Sequence, residues 1–595
     1  MKKIILSILA LALTACSGFL DQKPYSSVTP ENFYSTEDQM RMALISCYET
    51  INTHKIPGLT YCQYGSYGQG LLYLMNAPSD DVCASNGTQN EGLEMEWANF
   101  NEASRVVRHF WKVFYAGVNR CNTILAYVGS IPMSDDKKVQ YEAEARFMRA
   151  FFYYHLAWNF GGIPIVTDFA SDGQEPRSPL KDVYKLILDD LDFASEHLAE
   201  KGIIQDVSAN KFTAQAYTGR ICNYLAACKR SGIGADLVAE QPLNDFAWVD
   251  ADAMSSKAKA ALDSVVHKSP YVLIDDYTRL FYETTKADQH KECLFLAEIA
   301  ESGAEGYWPN SFYVHTPASG GGLVPTAYGG RHIPTPRGFY MYSPKDPRRD
   351  HNYTSRYNAD AAEEKIDGVR YCLPGGEQNR VTYSVVDSLT GDKTTYENVI
   401  HPIYDSETQT YNPISGIGTC PGKIRLACNG ELQHTKSQHA FSYPLMRLAD
   451  VYLMYAEALY YCGDEPEARV WMNKVLRRAA TDDDNYQELL TAYHRDDFIA
   501  ELLESREREL VFEFSRKWDL IRFNLIDEAI ESLDATMVVE KRGVLEDRFL
   551  KFQTDGYLAI GIPSLKANWF HHKIWLPISE EQMAINKNLT QNAQW

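Results

Sequence analysis

Two glycine-containing loop regions, residues 61–100 and 307–340, combine aromatic rings with amide, carboxylate and guanidinium side chains. A sugar presents flat faces of C–H groups edged by hydroxyls. A site that holds sugar without reacting with it therefore needs exposed rings for stacking and polar groups beside them. The candidate ligand contacts in the two regions are Tyr73, Asn76, Asp81, Trp97, Tyr307, Trp308, Phe312, Tyr313 and Arg331. The alternative for each ring is burial in the core, where aromatic side chains are more often found.

Motifs for catalysis are absent from the sequence. Residues 65–68 lack the spacing of a nucleophile elbow, and there is no Walker loop or His-Glu-x-x-His pair. His571 and His572 are adjacent, so regular structure points them apart. Residues 482–485 lack the glycine and distal glutamate of a calcium loop and are interpreted as a solvated linker. The sequence predicts no enzyme, no cofactor and no metal, and it gives no support for calcium. Carboxylates that converge from distant positions leave no motif, so a glycoside hydrolase remains an alternative.

The N-terminus has the order of a lipoprotein signal peptide. Lysines at positions 2 and 3 precede an apolar run over residues 4–13, and Leu-Thr-Ala stands directly before Cys16. We predict cleavage before Cys16 and its acylation, with about 0.8 kcal/mol for each buried methylene of the anchor. The run is about half of the ~20 residues that span a bilayer, which disfavours an uncleaved transmembrane helix. A secretory signal cut elsewhere is the other alternative.

Composition limits the class of partner. The chain of 595 residues carries a formal net charge of −21, which disfavours nucleic acid as a partner because phosphate binding needs a basic surface. Twelve cysteines include Cys16, and the odd number that remains leaves at least one free thiol in a monomer. Export makes one or two disulfides possible, with Cys222 and Cys228 or Cys420 and Cys428 as candidates, but buried single thiols are favoured for most of the cysteines.

Apolar residues recur at helical spacing in seven segments. The predicted helices span residues 111–127, 142–158, 180–198, 213–229, 448–461, 465–479 and 495–514. The second ends at Gly161 and Gly162, which are followed by Pro164, a C-terminal signal. Helix pairs in series favour a tetratricopeptide-like scaffold, and a bundle without true repeats is the alternative.

The composition between residues 300 and 441 shifts to glycine, proline, tyrosine and asparagine, which is typical of long loops and short strands. Within it, residues 381–386 and 394–400 are rich in threonine, tyrosine and valine on either side of Thr390-Gly391-Asp392. This pattern predicts an antiparallel strand pair.

Several motifs resemble those of the SusD/RagB family, nutrient-binding lipoproteins found beside SusC-like TonB-dependent transporters. In chain order they are Phe-Leu-Asp and a proline after Cys16, an Arg-Ala helix at 144–150, a Gly-Ile-Pro turn at 162–164, the helix at 447–458, a charged run at 507–522 and Leu-Pro-Ile at 576–578. The resemblance covers nearly the whole chain. It departs from the family just after the cysteine, where only Asp21 supplies the acidic charge common in surface-exposed members.

The resemblance implies a mainly α fold, with tetratricopeptide-like helix pairs and loop-rich insertions that form a ligand-binding face. It implies a lipid-anchored outer-membrane protein, exposed at the cell surface, that captures oligosaccharide or polysaccharide and delivers it to a SusC-like transporter. A peptide-capturing RagB-like binder is the alternative. The expected regions are a signal peptide (1–15), an N-terminal helical region (16–230), helices followed by a loop-rich ligand-binding region (231–440) and a C-terminal helical region (441–595), forming one compact unit after residue 20.

The charged residues of these motifs also have a structural interpretation. Arg447, Asp450, Glu457, Arg508 and Glu509 stand on predicted helices at spacings that allow ion pairs. We predict that they lock helices together and are not a catalytic set.

Overall fold

The computed structural model describes residues 33–52, 77–84, 94–95, 97–200, 208–298, 332–335, 337–338, 341–343, 345–354, 363–372, 381–386, 393–399, 403–405, 410–412, 420–421, 423–424, 431–432, 441–533 and 558–595. Of the candidate ligand contacts, Asp81 and Trp97 are among the described residues. The others, and Cys16, lie outside them.

The first half of the described chain is a series of helices, each packed against the next. Their bounds are α1 Glu37–Asn52, α2 Arg105–Tyr127, α3 Asp135–Phe160, α4 Leu180–His197, α5 Lys211–Ser231 and α6 Ala251–Lys268. The four helices predicted in this half are confirmed as α2 to α5, of which α2 and α3 begin six and seven residues earlier than expected.

The stack of helices continues in the second half. The remaining helices are α7 Lys286–Glu292, α8 Pro347–Asn352, α9 Leu448–Tyr461, α10 Glu465–Ala479, α11 Asp483–Tyr493, α12 Phe498–Leu510, α13 Arg516–Arg522, α14 Ile526–Ser532, α15 Leu558–Asn568 and α16 Glu580–Ile585. Helix α9 packs against both α5 and α6, and α10 packs against α9. The mainly α, paired-helix scaffold is therefore confirmed, and α9 and α10 have the predicted bounds.

Strands within the described residues are short and form antiparallel pairs. They are β1 Val82–Ala84, β2 Ile163–Pro164, β3 Arg177–Ser178, β4 Cys293–Ala297, β5 His332–Pro334, β6 Tyr353–Thr354, β7 Glu363–Ile366, β8 Val369–Cys372, β9 Val381–Val386, β10 Lys393–Val399, β11 Ile403–Asp405, β12 Thr410–Asn412, β13 Cys420–Pro421 and β14 Tyr443–Arg447. The predicted strand pair is confirmed as β9 with β10. Two pairs join distant parts of the chain, β1 with β5 and β4 with β14.

The end of α3 shows why glycine stands at this turn. Gly161 has a φ of +75°, a backbone conformation that side chains with a Cβ disfavour, and a Cβ there would collide with the side chain of Asn244. The Asn244 carboxamide accepts a hydrogen bond from the Gly162 amide at 2.7 Å. The predicted C-terminal signal is therefore a real helix stop, and it directs the chain into β2.

Arg447 forms the centre of a buried charged cluster where β14 leads into α9. Its guanidinium donates to Glu509 at 2.6 Å, to Glu513 at 2.7 Å and to Glu292 at 3.2 Å, and the side chain is 1% exposed. Three carboxylates from α7, α12 and the segment after α12 thus converge on one cation. A buried cation in this position needs such partners, because an uncompensated charge in the interior is strongly destabilising.

The other predicted structural pairs are also present. Asp450 accepts from Arg506 at 2.8 Å, and Glu457 accepts from Arg522 at 2.7 Å. Both pairs join α9 to later helices, as predicted. Arg508 differs, because its ion pair at 3.3 Å is to a glutamate on its own helix, and its guanidinium instead stacks on a tyrosine ring of α11 at 3.6 Å.

One candidate disulfide and one sequence interpretation are contradicted. Cys222 and Cys228 are both free and buried in α5, one turn and a half apart on a single helix, so they form no disulfide and are buried single thiols, the state favoured for most cysteines. Residues 482–485 are not a linker, because the Asp482 carboxylate caps α11 and accepts a hydrogen bond from the Asn485 amide at 2.8 Å. Across the described ranges, no helix is both long and apolar enough to cross a membrane.

Candidate functional site

The two loop regions singled out in the sequence meet in the structure. Strand β1, from the first region, pairs with β5, from the second, with Val82 opposite Pro334 and Ala84 opposite His332. The contact continues at Thr335, whose amide donates to the carbonyl oxygen of Asp81 at 2.8 Å. The described parts of the two regions therefore belong to one face of the molecule.

A charged cluster lies directly beneath this strand pair. The Asp80 carboxylate is 1% exposed and accepts two hydrogen bonds of 2.7 Å from the Arg516 guanidinium, and Arg337 pairs with it at 3.1 Å. Burial raises the pKa of Asp80, but the charges of Arg337 and Arg516 outweigh burial and hold the pKa at about 2. Glu507 pairs with the same two arginines, so α12 and α13 anchor the loops from below.

Asp81, a candidate ligand contact, belongs to this cluster. Its side chain is 4% exposed and accepts a hydrogen bond from the Ser79 hydroxyl. Burial and the nearby carboxylates of Glu507 and Asp80 raise the pKa of Asp81 to about 7. The charges of two arginines and two other carboxylates balance when Asp81 is protonated, which agrees with this direction. Asp81 lies under the face, not on its surface, and its contact with ligand stays a prediction.

Trp97, the other described candidate ligand contact, lies in a segment that packs on the C-terminal part of the chain. Its ring is half-buried, and its indole Nε1 is buried and donates no hydrogen bond to any described residue. The next residue, Ala98, offers its carbonyl oxygen to the Lys573 ammonium at 2.7 Å, and Phe100 packs on Trp595 with ring centroids 5.4 Å apart. The segment of Trp97 is thus fastened to the C-terminal part of the chain.

The helix that leads to Lys573 also contacts the face. Helix α15 packs against β1, and the chain after α15 runs through residues 569–573. Residues 569–573 were not among the predicted site residues. Their aromatic composition was the available signal, but the same composition is typical of a core.

A charged cavity of about 60 Å³ lies deeper, between α3, α5, α9, α12 and α13. Trp158 and Trp518 stack at its wall with centroids 4.5 Å apart. The charged residues that line it are the arginines Arg220, Arg447, Arg506 and Arg522 and the carboxylates Asp450, Glu457, Glu513 and Asp519. Each of these carboxylates is bound to an arginine, so the cavity offers no unpaired acid for general acid catalysis.

Metal binding finds no support in the described part of the chain, where no three histidine, cysteine or carboxylate side chains are grouped as ligands. The imidazole of His571 is hydrogen-bonded to Asp527 at 2.6 Å, and burial together with Lys573 lowers the pKa of His572. The two adjacent histidines therefore have different partners.

Comparison with known proteins places the fold in a defined group. Residues 340–595 match the SusD family, and residues 18–225 match a family described as starch-binding, associating with outer membrane. The chain is 22% identical to SusD-like protein P25 of Formosa agariphila over 568 residues, which cover 89% of this chain and 91% of that protein.

Solved structures agree. A SusD homolog from Bacteroides thetaiotaomicron is similar with a TM-score of 0.66 at 17% identity, covering 95% of this chain and 98% of that one. A laminarin-binding SusD-like protein is similar with a TM-score of 0.62 at 18% identity, covering 94% of this chain and 100% of that one. At these identities the likeness establishes the fold.

Proposed function

This chain belongs to the SusD/RagB family, and on that premise we propose that it is a glycan-binding protein associated with the outer membrane. The observation that carries the proposal is the strand pair β1–β5, which joins described residues of the two loop regions to each other on a helical scaffold. Loops that vary on a stiff frame suit recognition of a variable ligand. One protein of similar fold is named for binding laminarin, which supports a glycan over other ligands.

The proposed mechanism is capture without chemistry. Rings from the two loop regions stack on the C–H faces of sugar residues, and amide and charged groups beside them bind the hydroxyls. The Asp80 and Arg516 ion pair holds the chain next to β1 in place, so that less conformational freedom is lost there on binding. No covalent step, metal or cofactor is needed.

We further propose that Cys16 is the lipid anchor, that the protein is exposed at the cell surface, and that a SusC-like TonB-dependent transporter receives the bound glycan. The anchor follows from the order of charges, apolar run and cysteine at the N-terminus. The transporter follows from the family that the motifs resemble.

Calorimetric titration of the purified full chain in detergent tests the proposal. Laminarin, starch, xylan and mannan oligosaccharides form one panel, and mixed peptides form a second. Saturable binding to a glycan with no binding to peptides is the expected result, and addition of a chelator should leave it unchanged. Binding of peptides alone would overturn the proposal in favour of a peptide-capturing relative.

Prolonged incubation with the glycan that binds separates binding from hydrolysis. We expect no release of new reducing ends above a heat-inactivated control. Release that disappears when a single carboxylate of this chain is replaced would show a glycoside hydrolase instead.

A further inference from the structure

Phe570 has an unusual environment. Among the phenylalanine, tyrosine and tryptophan side chains whose exposure the structure describes, it alone is more than half exposed, at 57%. The other large apolar side chains with comparable exposure are aliphatic. Exposure of a single ring is common on protein surfaces, so what points to a ligand is how the ring is held and what lies beside it.

The segment around Phe570 is held from both sides by one carboxylate. Asp527 accepts a hydrogen bond from the Trp569 indole at 2.7 Å through one oxygen, and its other oxygen is 2.6 Å from Nδ1 of His571. The hydrogen bond from His571 lowers the pKa of Asp527, and the same bond raises the pKa of His571. The residues before and after Phe570 are thus fixed, and the exposed ring is preorganised.

A second ring lies beside it. The imidazole of His572 is nearly parallel to the Phe570 ring, with an angle of 17° and centroids 6.1 Å apart. Because burial lowers its pKa, His572 is neutral at physiological pH and presents an uncharged face. Trp595 packs edge-on against His572 at 5.0 Å and supports it from the other side.

Polar groups lie near these rings. His571 reaches the exposed carboxylate of Asp236 at 3.4 Å, and Lys573 lies 5.5 Å from the centre of the Phe570 ring. Lys573 also donates to the carbonyl oxygen of Ala98, next to Trp97, so the rings adjoin the candidate ligand-binding face. A lone ring with polar neighbours differs from the contiguous apolar patch that a protein partner covers.

We propose that Phe570 and His572 form a stacking platform for one pyranose ring of the bound glycan, as an extension of the face formed by the two loop regions. This inference rests on the proposed function. Phe570 covers the C–H face of the sugar. Asp236 and His571 lie where they can form hydrogen bonds with the hydroxyls at the edge of the sugar. Asp527 acts as a positioning residue that holds the platform and makes no contact with ligand.

The test compares Phe570→Ala with Ile585→Ala in the full chain. Ile585 is a matched control because it is also 57% exposed and carries no ring. Affinity is measured by calorimetric titration with whichever of laminarin, starch, xylan and mannan oligosaccharides binds the wild type most tightly. We expect Phe570→Ala to weaken binding about fivefold, Ile585→Ala to leave it unchanged and Phe570→Tyr, which keeps the ring, to retain most of the affinity. Melting temperatures should not change, since both side chains are exposed.

The outcomes separate the two proposals. Wild-type affinity in Phe570→Ala, with glycan binding intact, would overturn the platform and leave the proposed function standing. The platform is also overturned, and the proposed function again stands, if Phe570→Ala binds glycan normally but no longer associates with an outer-membrane protein. Phe570 would then contact a protein partner and not a sugar. A wild type that binds no glycan of the panel would overturn the proposed function and the platform together.

Discussion

Replacing Asp450 by asparagine tests whether the charged interior holds the two halves of the chain together. Asp450 lies in the first turn of α9, is 5% exposed and accepts hydrogen bonds from Arg506 at 2.8 Å and from Arg220. Burial raises the pKa of Asp450, but the charges of Arg506 and Arg220 outweigh burial and lower the pKa from 3.8 to about 2. The Asp450→Asn variant keeps the size of the side chain and removes its charge.

The magnitude follows from the pKa and from the partners that remain. The fall in the pKa of Asp450 corresponds to about 2 kcal/mol in the free energy of unfolding, because a shift of one pKa unit is worth about 1.4 kcal/mol. The variant also leaves two buried guanidinium groups facing a neutral amide, and breaking a buried pair in this way costs about 3 to 5 kcal/mol. The matched control is Asp192→Asn, since Asp192 pairs with Lys257 at 2.7 Å but is 55% exposed. That pair contributes about 0 to 1 kcal/mol.

Urea unfolding followed by far-UV circular dichroism gives the free energy of unfolding of each protein. We expect Asp450→Asn to lower the free energy of unfolding several times more than Asp192→Asn does. A carboxylate whose pKa is lower in the folded state stabilises above its unfolded pKa of 3.8, and this contribution is lost as the pH falls toward 2. The deficit of Asp450→Asn should therefore be constant near neutral pH and shrink below about pH 4. Equal losses in the two variants, or a deficit that does not change with acid, would refute the reasoning.

Three further predictions concern the anchor, a buried acid and a loop ring. Cys16→Ala should yield unprocessed or soluble protein, because the acyl chains are the anchor; membrane fractionation checks this, and full retention in the outer membrane would contradict it. Burial raises the pKa of Glu144 from 4.5 to about 8, although Tyr48 donates a hydrogen bond to it. The contribution of Glu144 to the free energy of unfolding is therefore fully present below pH 4.5 and is lost as the pH rises through about 8. Between pH 4.5 and 8 the melting temperature of Glu144→Gln should fall less than that of the wild type. If the melting temperatures of the two proteins depend on pH in the same way, the prediction is contradicted. Trp308→Ala, outside the described residues, should weaken glycan binding about fivefold in calorimetric titration with little change in melting temperature, whereas Ile585→Ala should not; a large drop in melting temperature at unchanged affinity would place Trp308 in the core.

Helices were predictable where periodicity and local stop signals coincide. The bounds of α9 and α10 follow from apolar spacing and from the turn at Gly463 and Asp464, where Gly463 has a φ of +86° and Asp464 caps α10. All of this information lies within a few residues of the helix ends. The cap at Asp482 was local too, but a run of acidic residues is equally compatible with a solvated linker, so its role depended on the helix that follows.

The candidate site was less predictable, because its contacts join residues far apart in the chain. The ion pair between Asp80 and Arg516 spans 436 positions, and no periodicity connects them. The same limit applies to Phe570, since an aromatic residue in an apolar segment indicates a core, and only tertiary structure shows the ring in water. Sequence composition does not specify the pairing of β1 with β5, so it could not show that the two loop regions meet there.

The bond between Arg220 and Asp450 has a consequence for how the protein folds. The two residues are 230 positions apart, so the pair forms only when both halves of the chain are present in the compartment where folding takes place. Arg149 differs, because its partner Asp190 follows it closely in the chain and bonds to it at 2.7 Å. Without α9, the enclosure of Arg220 by α5 and its neighbours would leave a charge unpaired, which is costly. The packing of α5 is therefore coupled to the arrival of α9, and we expect the two halves of the chain to fold together.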